Sequence, residues 1–229
     1  MQWENLIPAR NFSKEGAWHE KIAVYTQEDV ADIIEYARLR GIRVVSEFDT
    51  PGHTQSFEPG QPGLLTECYD NMGNKNGYYG PMNPTKKRVY AFVDAFFEEI
   101  TQVFPEKYLH LGADEVDFKC WWDKHFKVTL HSHMMTLDRQ SNPDITAFMR
   151  KWNMTGDYHK LESIYIKKLL DIVSSYPTKN GYIIWQEVFD NGIDVKNDTI
   201  IHVWKVNSSR QRVGVMSACR ASGSGRWPR

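Results

Sequence analysis

Two hydrophobic periods alternate along this chain. Over residues 26–40, Val30, Ile33, Ile34 and Ala37 recur at helical spacing. Thr26 and Asp29 have the spacing of a capping box, and Gly41 follows as a stop. A helix is predicted there. Residues 42–48, IRVVSEF, are near-continuously apolar in their first half and predict a buried strand, which runs out into a polar stretch from Asp49 to His53. The rhythm then repeats. Val89, Phe92, Val93, Phe96, Ile100 and Val103 predict a helix over 85–104, closed by Pro105. Residues 108–111 predict a strand, released at Gly112 and followed by Asp114, Glu115 and Asp117. A short helix is predicted over 143–152, and a longer one over 157–175 with Leu161, Ile164, Tyr165, Leu169 and Ile172 on one face. Strands are predicted over 181–187 and 199–204.

Three stretches break the pattern. Residues 54–84 are rich in Gly, Pro and Asn, carry Tyr69, Tyr78 and Tyr79, and predict a long loop of the kind that is usually functional or disordered. Residues 120–140 contain His125, His131 and His133, but no carboxylate or Cys at metal-ligand spacing, which favours a surface loop or short helix. The tail from 206 to 229 is Ser-, Arg- and Gly-rich without a period, and predicts a disordered or loosely packed end.

Helices alternating with buried strands imply parallel strands and right-handed crossovers. Such folds work at the strands' C-terminal ends. Four predicted strands end there in Asp49 and His53, in Asp114 and Glu115, in Trp185 and Glu187, and in Trp204. No Gly-rich phosphate loop is present, which argues against nucleotide binding. Acids and indoles around one mouth suit glycoside hydrolysis: a protonated carboxyl for the leaving oxygen, a carboxylate for the cationic sugar, flat apolar walls for the ring.

Composition narrows the classes. The chain has 229 residues and a net charge of −1, so no global field draws it to nucleic acid or an anionic membrane. No apolar run is long enough to span a bilayer, and the first residues lack the apolar core of a secretory signal. Eight Trp suit sugar stacking, although an aromatic core is the more common explanation. Cys68, Cys120 and Cys219 form no CxxC pair; Cys68 and Cys120 each follow a predicted strand by a short loop and could meet at one face. Sequons begin at Asn11, Asn153, Asn197 and Asn207.

The motifs RVVSEFDTPGHT, GQPGLLTECY, YLHLGADEVDFKCW, LESIYIKKLLDIVSSY, WQEVFD and TIIHVW together resemble glycoside hydrolase family 20, the β-N-acetylhexosaminidases, in the family's order. The resemblance runs from about residue 13 to 205, with a gap at about 121–140, and sets residues 1–205 apart as a catalytic segment from an unrelated tail. It implies a (β/α)8 barrel, of which about four central units are present here. Four strands cannot close at normal tilt and shear, so an open, partial barrel is expected. It implies retaining hydrolysis of terminal β-linked N-acetylhexosamine from oligosaccharides, glycoproteins or glycolipids, with no cofactor and no metal. Glu115 would be the general acid/base. Asp114 would orient the substrate's 2-acetamido group, whose carbonyl attacks the anomeric carbon to give an oxazolinium ion. Asp49 and His53 would form a relay behind Glu115, and Trp185 and Trp204 would wall the acetamide pocket beside Glu187. The resemblance also implies a Cys68–Cys120 disulfide, a dimer with itself or a related subunit, and a lysosomal or secretory location, although this chain carries no signal peptide. Ala113 stands where the family usually has Gly. The barrel's first and last strands have no counterpart before 26 or after 205, which leaves a second reading open: a chain truncated at both ends that binds sugar or a partner without turnover. A third reading, a metal-dependent hydrolase, would use His110, Asp114 and Asp117.

Overall fold

The computed structural model of the chain describes residues 25–70, 72–122, 142–177, 181–197 and 199–205, together with the backbone of short strands at 129–130, 133–134 and 214–217. The first element, α1 (Gln27–Arg38), begins where its capping box dictates: Asp29 N–H donates to the Thr26 hydroxyl at 3.1 Å, and Thr26 N–H donates to the Asp29 carboxylate at 2.8 Å. Its expected buried face is only partly used. Ala37 is buried, whereas Ile33 is exposed.

The strand expected over 42–48 is reduced to one parallel bridge, Glu47 to His110. Hydrogen bonds from His110 N–H to Ser46 O and from Phe48 N–H to His110 O hold it at the sheet edge. Among the described residues no strand pairs with its other side, so Ile42 and Val45 stay exposed and the ladder does not extend.

The stretch expected to be a long loop is instead ordered by a short helix and a hairpin: α2 (Phe57–Gly60), β1 (Leu65–Tyr69) and β2 (Lys75–Met82). Two register shifts interrupt the pairing, which is why no clean period of two was visible. Helix α3 (Lys87–Val103) buries the predicted Val89, Phe92, Val93, Phe96 and Ile100, and adds Phe97. Then come β3 (Tyr108–His110), β4 (Thr129–Leu130), β5 (His133–Met134), α4 (Pro143–Lys151) and α5 (Tyr158–Ser174). The last elements are β6 (Gly181–Trp185), α6 (Gln186–Asp190), β7 (Thr199–Val203) and β8 (Gly214–Ser217).

The main sheet has the order β3-β6-β7-β8, with β3, β6 and β7 parallel. Strand β8 lies antiparallel to β7, inside the tail expected to be disordered. Its backbone pairs with Ile200 to Val203, so β7 has a neighbour on its outer side. The remainder of 206–229 lies outside the described residues, as do His125, His131 and Cys219. The sheet is open, with no closed barrel among the described residues.

One face of the sheet is covered by α3 and α5. Their Phe96, Phe97, Ile100, Tyr165, Leu169 and Val173 pack with Leu109, Leu111, Ile184 and Ile201 into one core. A second cluster gathers Trp121, Ile145, Met149 and Leu161 beneath the 3-10 turn Phe118–Cys120. Trp121, at the start of the expected insert, is fully buried and donates its indole N–H to the Thr66 hydroxyl at 2.9 Å. No described helix is long and apolar enough to cross a membrane.

Candidate active site at the strand ends

Strand β3 delivers the acids through a turn that needs unusual backbone. Gly112, Ala113 and Glu115 have φ of 69°, 75° and 47°. At Gly112 the demand is steric as well: an added Cβ would lie 2.1 Å from Asp49 Oδ1. The chain must pass this close because Asp49 Oδ1 accepts the Ala113 N–H at 2.6 Å. Left-handed φ at Gly112, Ala113 and Glu115, three of four consecutive residues, coils the loop tightly and brings Asp114 and Glu115 beside Asp49.

Asp49 is the more sheltered of the two acids facing His53, its side chain 19% exposed against 53% for Glu115. Burial pushes its carboxyl up to about 7, opposed by the Ala113 N–H and reinforced by the neighbouring Asp114 carboxylate. The side-chain hydrogen bond between Asp49 and Asp114 favours the protonated Asp49 as its donor. His53 stands over the pair: its Nε2 is 3.9 Å from Asp49 Oδ2 and 3.8 Å from Glu115 Oε2. Four of the predicted residues are thus gathered in one place. One donor atom each from Asp49, His53 and Asp114 lies within 4.8 Å of the others, a spacing that would also bracket a cation.

Glu115 and His53 open onto a cleft of about 790 Å³. Its far wall is the hairpin, with Tyr69, Tyr78, Tyr79 and Pro81, and its floor is the disulfide between Cys68 and Cys120. Gly80 lets the hairpin lie against that bridge, since a Cβ there would sit 2.7 Å from the Cys120 Cβ. Sequence reasoning missed this wall. The tyrosines were visible, but nothing in their spacing declared a hairpin.

The predicted indoles form a second group, at the ends of β6 and β7, and do not line that cleft. Trp185 and Trp204 meet edge to face, with ring centroids 6.4 Å apart. Glu187 serves Trp204: its carboxylate accepts the indole N–H at 3.0–3.1 Å and the Lys205 ammonium at 2.6 Å. Gln186 Oε1 accepts the backbone N–H of Trp204 at 2.9 Å and of Lys205 at 2.6 Å, pinning the end of β7. The metal-hydrolase set is not assembled. His110 is buried and turned to Gly112 and His202, while Asp117 caps the following turn and pairs with Lys119.

A parallel sheet with acids, an imidazole and indoles gathered at its C-terminal strand ends is laid out as glycosidase barrels are. The family profile described as glycosyl hydrolase family 20, catalytic domain, matches residues 8–219. The chain belongs to that family. It is 52% identical over 193 residues to the beta-hexosaminidase subunit alpha of Bos taurus, covering 84% of this chain and 32% of that protein. It is 46% identical over 195 residues to the human beta-hexosaminidase subunit beta, covering 85% and 31%. Among solved structures, the exo beta-N-acetylglucosaminidase of Vibrio harveyi, in complex with N-acetylglucosamine, superposes with a TM-score of 0.56 at 26% identity, covering 80% of this chain and 26% of that one. A beta-N-acetylhexosaminidase from Bacteroides fragilis shares the fold with a TM-score of 0.62 at 24% identity, covering 84% and 35%. The chain spans about a third of the length of the curated relatives it matches.

Proposed function

We propose that this chain carries β-N-acetylhexosaminidase chemistry: retaining hydrolysis of terminal β-linked N-acetyl-D-hexosamine from oligosaccharides, glycoproteins or glycolipids. The observation that carries the reading is the placement of His53 Nε2, 3.9 Å from the partly buried Asp49 and 3.8 Å from the half-exposed Glu115. That geometry links an acid in the cleft to a carboxyl pair behind it.

In the first step the protonated Glu115 gives its proton to the glycosidic oxygen as the C1–O bond breaks. The substrate's own 2-acetamido carbonyl oxygen bonds to C1, forming an oxazolinium ion. Asp114 accepts the acetamide N–H and offsets the positive charge. Asp49, holding a proton at mildly acidic pH, donates to Asp114 and fixes its orientation. In the second step Glu115 takes a proton from water, the water oxygen bonds to C1, and the carbonyl oxygen leaves. Two inversions at C1 give net retention. Trp185 and Trp204 wall the acetamide, and Glu187 holds the Trp204 indole.

The same reading assigns the chain to a lysosomal or secretory route and to a dimer with itself or a related subunit. Hydrolysis of an aryl β-N-acetylglucosaminide at mildly acidic pH by the purified chain tests it. Glu115→Gln is expected to lower kcat by roughly 10²–10⁴-fold, the range for a general acid. Equal turnover by the two proteins would remove Glu115 from the role. A folded wild-type chain that binds N-acetylglucosamine without turning over the substrate would replace catalysis by sugar binding.

A further inference from the structure

Trp185 is held from more sides than packing requires. His202 stacks on its face, with ring centroids 4.1 Å apart and planes 21° apart. His110 approaches at 4.8 Å and 55°. The indole N–H donates to Glu47 Oε1 at 2.8 Å. These residues come from β3, β6 and β7 and from the bridged Glu47 beside them. Glu47 bridges to His110, and Trp185 pairs directly with His202 across β6 and β7.

The hydrogen bonds assign the tautomers. Gly112 N–H donates to His110 Nδ1 at 3.1 Å, so that nitrogen is bare and Nε2 carries the proton. His110 Nε2 lies 3.2 Å from His202 Nδ1, which must accept, leaving the His202 proton on its own Nε2. Burial, and then the neighbouring His202, push the His110 imidazole down to about 4, so it stays neutral and Nδ1 remains an acceptor. Gly112 begins the turn that presents Asp114 and Glu115. One chain of contacts therefore joins the acid loop to the plane of the indole.

We infer that Glu47, His110 and His202 are positioning residues that set Trp185 against the acid loop. They act through Trp185 and touch no reacting atom. The inference rests on reading Trp185 as the wall of the acetamide pocket.

The test is the indole N–H spectrum of the whole ¹⁵N-labelled chain, with the Trp185 resonance identified by its loss in Trp185→Phe. His202→Leu removes both the stacked ring and the acceptor, whereas His202→Asn returns an acceptor where Nδ1 was. Glu47→Leu removes the acceptor for the indole itself. In the sugar-free chain, His202→Leu and Glu47→Leu are expected to shift or broaden the Trp185 resonance, with the other indole signals retained, and His202→Asn to restore much of it. N-acetylglucosamine is expected to bind His202→Leu about tenfold more weakly, the effect of one lost hydrogen bond and its packing, and His202→Asn less so. A Trp185 resonance unmoved in both Leu variants overturns the inference. A sugar-free shift with unaltered sugar affinity overturns the role of Trp185 in the pocket and leaves the positioning standing. Should His202→Leu not fold, Glu47→Leu and His202→Asn decide by the same two readouts.

Discussion

At Ala113 the chain takes a φ of 75°, a conformation that costs a residue with a Cβ about 1–2 kcal/mol. Glycine would avoid that cost and lose roughly 0.5–1 kcal/mol to its own flexibility. Ala113→Gly is therefore expected to stabilise the fold by up to about 1 kcal/mol, read as a higher midpoint in urea denaturation. A lower midpoint would mean the Ala113 methyl, fully buried in the core, matters more than its backbone strain. The neighbouring position behaves oppositely. Gly112→Ala puts a methyl on top of Asp49 Oδ1, and the overpacking costs roughly 1–3 kcal/mol beyond the backbone term. Loss of turnover should accompany loss of stability there, because the displaced group is Asp49. At this scale the sequence was informative about Asp49, His53, Asp114 and Glu115, whose motif sits at predicted strand ends. It was silent about Glu47 and His202. Their roles depend on which strands become neighbours, and that information lies in register, not in composition.

The helices were legible as elements because each announces its own face. Helix α1 starts at its capping box, and Thr26→Ala should cost about 1 kcal/mol, measured by chemical denaturation. Helix α3 buries five of its six predicted apolar positions. The β elements were less legible. Residues 42–48 read as a buried strand, yet only Glu47 makes a bridge, since a strand needs a partner that its own sequence does not contain. The hairpin escaped notice because its two register shifts erase the alternation. What holds that hairpin to the acid loop is covalent. The Cys68–Cys120 bridge spans 52 residues, and in the chain-entropy view a closure of that length stabilises by about 4 kcal/mol. Replacing both cysteines by alanine should lower the melting temperature and loosen the cleft wall while leaving β3, β6 and β7 paired. An unchanged melting temperature would show that the core around Leu64, Leu65 and Met82 holds the hairpin unaided.

Among the described residues, three groups whose shifts come mainly from burial tie stability to pH. Burial raises Asp49 from 3.8 to about 7 and Glu162 from 4.5 to about 7, so the folded chain binds protons that the unfolded chain has released. Their contribution is full below the unfolded values and is lost as pH rises toward 7. His110 works against them: it falls from 6.5 to about 4, and its contribution is lost as pH falls through that window. Two groups oppose one between pH 4.5 and 6.5, so the melting temperature is expected to fall as pH rises across this interval and onward to about 7. Asp49→Asn should flatten the slope, and a melting temperature that climbs from pH 4.5 to 7 would contradict the assignment. Greater stability in acid would suit the lysosomal route proposed for the chain.

In the proposed reaction the substrate's acetamide supplies the nucleophile while Glu115 handles the proton. The decisive experiment compares rates for aryl β-N-acetylglucosaminides whose acetyl group carries zero, one, two or three fluorines. Fluorine withdraws electrons from the carbonyl oxygen, so an acetamide nucleophile requires a rate that falls with every fluorine added. A rate indifferent to fluorination would contradict it and return the nucleophile to a protein carboxylate.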